Sequence, residues 1–310
     1  MKKPQYNSIL IVGPTASGKS DVAILLAKKL NGEIINTDSM QIYDDMQIGT
    51  ARPTTEEERG VRHHLFGFLP IDSEYSVSLY RKDAENSFNE ILSRGNLPIF
   101  VGGTGLYANS LISNLSYGNS MKDEALRTKY NEMAEKEGKE AVYKILLKLD
   151  PKAAEKISPN DIKRVIRAIE ICTLSNGKKS DIDTMQNIMQ SPIKPLIIGI
   201  NYPREQLYER INLRVDKMIE KGLLQEASEI YNKHLNDTQS VSAIAYKELF
   251  PYFRGEKSLE ECVNLLKQKT RNYAKRQITW FKKTPNLIWF DKSEISDNDI
   301  VNEIIKLYKK

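Results

Sequence analysis

The chain has 310 residues, 40% of them hydrophobic and 28% charged, which is enough apolar material for one large core or two modest ones. Its 16 glycines and 12 prolines exclude a fibrous or low-complexity protein, and no apolar run approaches the roughly 18 residues of a membrane-spanning helix. Forty-six Lys and Arg against 41 Asp and Glu leave a net charge of +5, a mild excess that permits a polyanionic partner without predicting one. The two cysteines, Cys172 and Cys262, form no CxxC pair, so there is neither a disulfide framework nor a zinc cluster to read. They read as free thiols of a reducing compartment. Met1-Lys2-Lys3 precedes too short an apolar run for a secretory signal, and the expected location is the cytoplasm.

In chain order, residues 9–12, 33–36, 97–101 and 196–200 are nearly continuous in Ile, Leu, Val and Phe, the pattern of buried parallel strands. Helical stretches at residues 21–30 and 80–94 supply the crossovers of a βαβ series, and residues 287–290 offer a return strand. From about residue 115 to 194 strand signals vanish, and charged helical segments at 122–137, 139–149 and 161–175 take their place. In the last of these, Ile162, Val165, Ile166 and Ile169 share one face while Lys163, Arg164 and Arg167 share the other. The expected architecture is α/β, a P-loop NTPase-like parallel-sheet core over residues 1–115 and 196–310 with a mainly helical insertion over 116–195.

Between the first strand and the first helix stands Gly13-Pro14-Thr15-Ala16-Ser17-Gly18-Lys19-Ser20, which satisfies GxxxxGK[ST] in the context the motif requires. Its glycines let successive N–H groups face a phosphate, Lys19 adds a point charge, and Ser20 can hold Mg²⁺. The second strand runs into Thr37-Asp38-Ser39-Met40-Gln41, placing a carboxylate and an amide at the carboxyl edge of the sheet. The third ends in Gly102-Gly103-Thr104 without an acid, which suggests a second close approach of backbone to ligand rather than a metal carboxylate. Residues 262–283 carry seven Lys and Arg and no acid, interleaved with Tyr273, Trp280 and Phe281, a composition suited to phosphates and stacked bases as well as to a packed helix. His63 and His64 are adjacent, their side chains diverge, and no third ligand is apparent, so a metal role is disfavoured.

Taken in order, GPTASGKS, DSMQIY followed by IGTA, HHL, VGGTGLY, Pro159-Asn160-Asp161 with Arg164 and Arg167, and AKRQITWF resemble the bacterial tRNA dimethylallyltransferase family over nearly the whole chain. The resemblance implies transfer of a dimethylallyl group from dimethylallyl diphosphate to N6 of the adenosine 3′-adjacent to the anticodon, in tRNAs reading codons that start with U. Diphosphate is the leaving group. It makes Asp38 the general base and gives Thr104, Lys19, Ser20 with Mg²⁺, and Arg214 the task of stabilising charge on the diphosphate. It assigns residues 13–20 to the donor. The tRNA anticodon stem-loop falls to Asp38, Ser39, Met40, Gln41, Thr104 and Arg127, to Asn160, Asp161, Ile162, Lys163 and Arg164 of the insertion, and to Ser242, Ala243, Ile244, Ala245, Tyr246 and Lys247. The target base is expected to leave its stack and be held by Gln41 and its neighbours. Ala245 stands where many members have Gly, and Arg62 where Pro is common. A monomer without membrane association is the default. Two readings compete: an ATP-dependent small-molecule or nucleoside kinase, from the P-loop alone, and a non-enzymatic RNA-binding protein, from the basic segments.

Overall fold

The computed structural model describes residues 5–113, 123–175, 177–181, 191–233, 238 and 240–310. By internal contacts the chain divides into one unit comprising Met1–Ile112 with Ile193–Lys310 and a second comprising Ser113–Pro192. The expected junction at 115/116 and the start of the helix at Lys122 lie outside the described residues.

The larger unit is built on six parallel strands, β1 (Ser8–Val12), β2 (Gly32–Asn36), β3 (His63–His64), β4 (Leu97–Gly102), β5 (Pro195–Asn201) and β6 (Ile288–Asp291), in the spatial order β3-β2-β4-β1-β5-β6. Strand alternation explains why both faces are covered. Ile9 and Ile11 enter one core with Ile34, Ile99, Val101 and Ile198, whereas Leu10 and Val12 enter the other with Ile35, Phe100 and Ile197. The first core is closed by α1 (Lys19–Leu30) and the C-terminal helix α13 (Asp297–Lys309), through Val22, Leu26, Ile300 and Ile304. The second is closed by α3 (Val77–Ser93), α4 (Gly105–Ile112), α9 (Arg204–Glu220), α10 (Leu223–Asn232) and α12 (Leu259–Phe281). Two single-turn helices, α2 (Thr55–Glu58) and α11 (Phe250–Phe253), lie in the connections. The strands differ from the sequence reading by a residue or two at their ends, and β3 was not anticipated: two histidines give no strand periodicity.

Sequence-encoded caps set several of these helices. Ser258 caps α12 in a reciprocal box with Glu261, Ser76 accepts from Leu79 N–H at the start of α3, and Ser296 accepts from Asp299 N–H at the start of α13. Among the described residues no helix is long and apolar enough to cross a membrane. Cys172 and Cys262 are both buried free thiols.

The second unit consists, among the described residues, of α5 (Glu124–Lys136), α6 (Lys139–Leu149), α7 (Pro151–Ala154) and α8 (Ile162–Ser175). Its core holds Val142, Leu146, Ala154, Val165, Ile166 and Ile169, the apolar stripe anticipated on the last helix. Fully buried within it is Glu170, which receives Nε and Nη2 of Arg127, the N–H of Asp123 and, at close range, Arg167.

Candidate active site

The loop from β1 into α1 follows from its three small residues. A Cβ on Gly13 would stand 2.2 Å from Ile200 O, so only glycine passes beside β5. Gly18, at φ 77°, is the N-cap of α1, and Ala16 holds φ 63° despite its Cβ, a strained conformation that persists because its surroundings fix it. Arg210 Nε donates to Ala16 O at 3.0 Å, Ser17 N–H to Pro14 O at 3.3 Å, and Lys19 Nζ to Pro14 O at 3.2 Å. Ser17 Oγ is buried without a partner. This loop, the open N-terminus of a twelve-residue helix and Lys19 together constitute an anion site.

Two neighbouring strand ends build the facing wall. Asn36, the last residue of β2, accepts Asp38 N–H on Oδ1 at 2.8 Å and donates Nδ2 to Asp38 O and Leu65 O, both at 2.9 Å. Met40 N–H then fixes one carboxylate oxygen of Asp38, donating to Oδ1 at 3.0 Å. Thr104, after β4, donates its N–H to Thr37 O, accepts Ser39 N–H on its hydroxyl at 3.0 Å and donates that hydroxyl to Ser39 Oγ at 3.2 Å. Gln41 uses both amide hydrogens, giving Nε2 to Thr50 O at 3.0 Å and Ala51 O at 2.9 Å. With both amide hydrogens engaged, what Gln41 has left to offer a ligand is an acceptor, Oε1.

These elements enclose a cavity of about 340 Å³, within the size range of small-molecule sites, into which Thr15, Lys19, Ser20, Asp38, Ser39, Met40, Gln41 and Arg214 all open. Its electrostatics are those of a site awaiting anions. Burial, and then the neighbouring guanidinium of Arg214, pull the Lys19 ammonium down to about 8, although Asp38 acts in the opposite sense. Burial likewise lowers Arg214 from its usual value while Asp38 supports it, and Arg214 Nε is buried with no hydrogen-bond partner. Two desolvated cations, one carboxylate and the unpartnered buried Nε of Arg214 form an incomplete network that an anionic group would complete.

The insertion and loop residues fall into two groups. Ser242, Ala243, Ile244, Ala245 and Lys247 line the cavity. Tyr246 does not: it is fully buried, its hydroxyl donating to Glu226 Oε1 at 2.8 Å, and its ring fills the space a Cβ on Gly49 would occupy. Glu226 also accepts the N–H groups of Gln47, Ile48 and Gly49, so Tyr246 anchors two loops to α10 and offers no side chain to a ligand. Ala245 adopts φ 105°, the region where glycine is at home. In the second unit, Asp161 caps α8 by accepting Arg164 N–H, with Asn160, Lys163 and Arg164 exposed and Ile162 packed against that unit's core. The Arg127 and Arg167 side chains are held by buried Glu170, which the helical-face pattern could not reveal because their partner lies on the apolar side. Both histidines have protein partners: His63 Nδ1 meets Val61 O at 2.8 Å and His64 Nε2 meets Glu33 at 2.6 Å. Among the described residues no group of three His, Cys, Asp or Glu could hold a metal ion.

The composition of residues 262–283 suits phosphates and stacked bases as well as a packed helix, and in the structure the inner face of α12 is a wall of the cavity. Leu266, Thr270, Tyr273, Arg276 and Gln277 line it at helical spacing, while Lys267 pairs with Asp216 at 2.6 Å and Arg271 Nη1 donates to Asn212. Burial, and then Asp38, push the Tyr273 hydroxyl upward, which keeps it a neutral donor. The signal was present in the i, i+4, i+7, i+11 recurrence from residue 266, obscured by the charges between.

The profile of the family described as IPP transferase matches residues 41–284, and that described as isopentenyl transferase matches residues 6–67. A tRNA dimethylallyltransferase of Acetivibrio thermocellus is 46% identical over 308 residues, covering 97% of each chain, and one of Halalkalibacterium halodurans is 43% identical over 296 residues. Among solved structures, a tRNA isopentenylpyrophosphate transferase from Bacillus halodurans superposes with TM-score 0.73 at 42% identity, covering 97% of this chain and 95% of that one. A eukaryotic dimethylallyltransferase acting on tRNA gives TM-score 0.82 at 32% identity, covering 97% of this chain and 78% of that one.

Proposed function

Since the chain belongs to the tRNA dimethylallyltransferase family, we propose that it transfers a dimethylallyl group from dimethylallyl diphosphate to N6 of the adenosine 3′-adjacent to the anticodon of tRNAs reading codons that start with U, acting as a monomer in the cytoplasm. The observation that carries this reading is the presence in one cavity of a carboxylate, Asp38, and the cations of a phosphate loop, Lys19 and Arg214. A kinase would need a metal carboxylate and a third phosphate here; a prenyl transfer needs a proton acceptor beside a diphosphate.

The exocyclic nitrogen attacks the allylic carbon bonded to the donor's oxygen. As that C–O bond breaks, its electron pair leaves with the diphosphate, and the proton of the attacking nitrogen passes to Asp38. Met40 N–H holds Asp38 Oδ1, so the carboxylate is pre-oriented rather than free to rotate. Lys19 and Arg214, already desolvated, gain most where charge accumulates on the leaving group. Thr104 fixes Ser39, the neighbour of Asp38. Ser20 is exposed at the first turn of α1 and opens into the cavity, a hydroxyl that would help hold Mg²⁺ there. When bound, that ion would neutralise diphosphate charge. The acceptor adenine is extruded from its stack toward Oε1 of Gln41. Lys163 and Arg164 would contact anticodon-stem phosphates.

The test is incubation of the purified protein with unmodified tRNA, Mg²⁺ and dimethylallyl diphosphate, with a parallel ATP reaction, followed by mass spectrometry of digested nucleosides. N6-dimethylallyl adenosine formed only with the isoprenoid donor is the expected result. An unmodified tRNA alongside conversion of ATP to ADP would overturn the reading in favour of a kinase.

A further inference from the structure

Gln277 lies on α12, 4% exposed, and has no part in the chemistry above. Its Oε1 accepts the N–H of Thr15 at 2.9 Å, and its Nε2 donates to Gly103 O at 2.9 Å. One partner is a donor and the other an acceptor, which fixes the amide orientation. Thr15 belongs to the phosphate loop after β1. Gly103 precedes Thr104, whose hydroxyl holds Ser39 beside Asp38. A single buried side chain thus joins the loop that grips the anion to the loop that braces the proton acceptor. A Cβ on Gly103 would stand 2.1 Å from Gln277 Nε2, so the glycine is what lets the amide arrive.

We propose that Gln277 is a positioning residue that sets the phosphate loop in register with the Thr104–Asp38 side of the cavity, and thereby the leaving group in line with the attacking nitrogen. For its catalytic consequence this rests on the prenyl-transfer reading; for its effect on anion binding it does not. Glutamine is chosen by chemistry as well as shape. Methionine fills similar space but leaves Thr15 N–H and Gly103 O unpaired in a buried setting. Ionised glutamate retains an acceptor for Thr15, opposes an oxygen to Gly103 O, and places a negative charge where an anion binds. Protonated glutamate restores both bonds.

That last difference supplies the test. Affinity for inorganic diphosphate is measured by calorimetry at pH 8 and pH 6 for the wild type, Gln277→Glu and Gln277→Met, with donor KM and kcat taken at the same pH values. The groups that titrate or carry charge around the same cavity are Lys19, Asp38, His63, Arg214, Lys247, Tyr273 and Arg276. Dividing each variant's value by the wild type's at the same pH removes their common contribution. Gln277→Glu is expected to bind diphosphate about tenfold or more weakly at pH 8, with the ratio falling toward one at pH 6 as burial keeps the new acid protonated. Gln277→Met is expected to lose affinity by the same factor at both pH values. The kcat of both falls by about 10- to 100-fold under conditions where the bonds are missing, as for a small misplacement of reacting groups.

Equal, pH-independent ratios for the two variants, or wild-type affinity in both, would overturn the proposal. Gly103→Ala attacks the same bond from the opposite side and keeps the question decidable should Gln277→Glu not fold. It is expected to weaken diphosphate binding, and wild-type affinity in that variant also refutes the idea. If the wild type fails to prenylate tRNA while the diphosphate pattern holds, the functional reading falls and Gln277 keeps its role. The opposite combination removes Gln277 alone.

Discussion

If Lys19 grips an anionic donor through its ammonium, as proposed, affinity for that donor varies with pH in an otherwise ordinary range. Burial and Arg214 hold its ammonium at about 8, compared with 10.5 for a solvated lysine. A bound diphosphate replaces the missing solvation with negative charge, so the complex retains the proton well above that value. If only protonated Lys19 grips the donor, the apparent KM for dimethylallyl diphosphate scales as 1 + 10^(pH − 8), which is about 1.1 at pH 7, about 2 at pH 8 and about 11 at pH 9. The rise from pH 7 to pH 9 corresponds to about 1.4 kcal/mol of binding free energy. Calorimetry with inorganic diphosphate in buffers of different ionisation enthalpy gives an independent reading: at pH 8 the wild type takes up roughly half a proton more per ligand than Lys19→Met, the diphosphate's own titration being common to both.

The same shift has the opposite sign for folding. Between about 8 and 10.5 the unfolded chain holds a proton on Lys19 that the folded chain has lost, so the stability of the empty protein rises with pH through that window. Below pH 8 the desolvated ammonium is a full burden. Lys19→Met should therefore stabilise the ligand-free protein at pH 7 by about 2 kcal/mol after discounting for the side chain's partial exposure, and so raise its thermal midpoint, while removing the Lys19 contribution to the pH dependence of diphosphate binding. A donor KM flat from pH 7 to pH 9 without proton uptake, or a less stable Lys19→Met protein, would refute this account.

Asp38→Asn keeps the acceptor that Met40 N–H needs but removes the base, so single-turnover transfer should fall by about 100-fold or more while tRNA affinity in a filter-binding assay stays within a few-fold of wild type. Glu226→Ala strips the partner from three backbone N–H groups and from Tyr246, and chemical denaturation should show a loss of about 2–3 kcal/mol with a raised KM for tRNA. Arg127→Ala removes two donors from buried Glu170; thermal unfolding should register a loss of about 1–3 kcal/mol, and if tRNA affinity falls with stability unchanged, the side chain is a ligand contact and not a brace. Ala245→Gly relieves a φ of 105° but also gives up a buried methyl group and lowers the unfolded chain's order, so a stability change within about 1 kcal/mol of zero is expected, with the sharper effect on the KM for tRNA.

What the sequence made legible is what local chemistry dictates. The runs at residues 9–12 and 97–101 could be read as buried strands because side chains on both faces are apolar, and Gly13 to Ser20 could be read as an anion loop because each glycine answers a local demand of backbone path. Asp38 was legible for the same reason: it follows directly on a strand that must end at the carboxyl edge. Long-range partners were not. Nothing in the spacing of Arg127, Arg167 and Glu170 says that the acid lies on the apolar face of its helix and draws both arginines inward. Tyr246 reads as one more aromatic in a loop until Glu226, twenty positions earlier, supplies the acceptor that buries it.

Helix α12 shows why such misses cluster at sites. Its outward residues Lys269 and Lys275, with Lys282 and Lys283 just past its end, are what composition counts, because charge is conspicuous and solvent tolerates it. Its inward residues, Thr270, Tyr273 and Gln277, are polar too, and a polar inner face erases the contrast on which hydrophobic periodicity depends. Apart from Leu266, the cavity-lining residues of this helix are polar like its outward ones, inward toward the cavity and outward for water. Amphipathic reading therefore fails on such a helix for a functional reason, and the residues it overlooks, Gln277 above all, are those whose polar atoms are engaged within the protein.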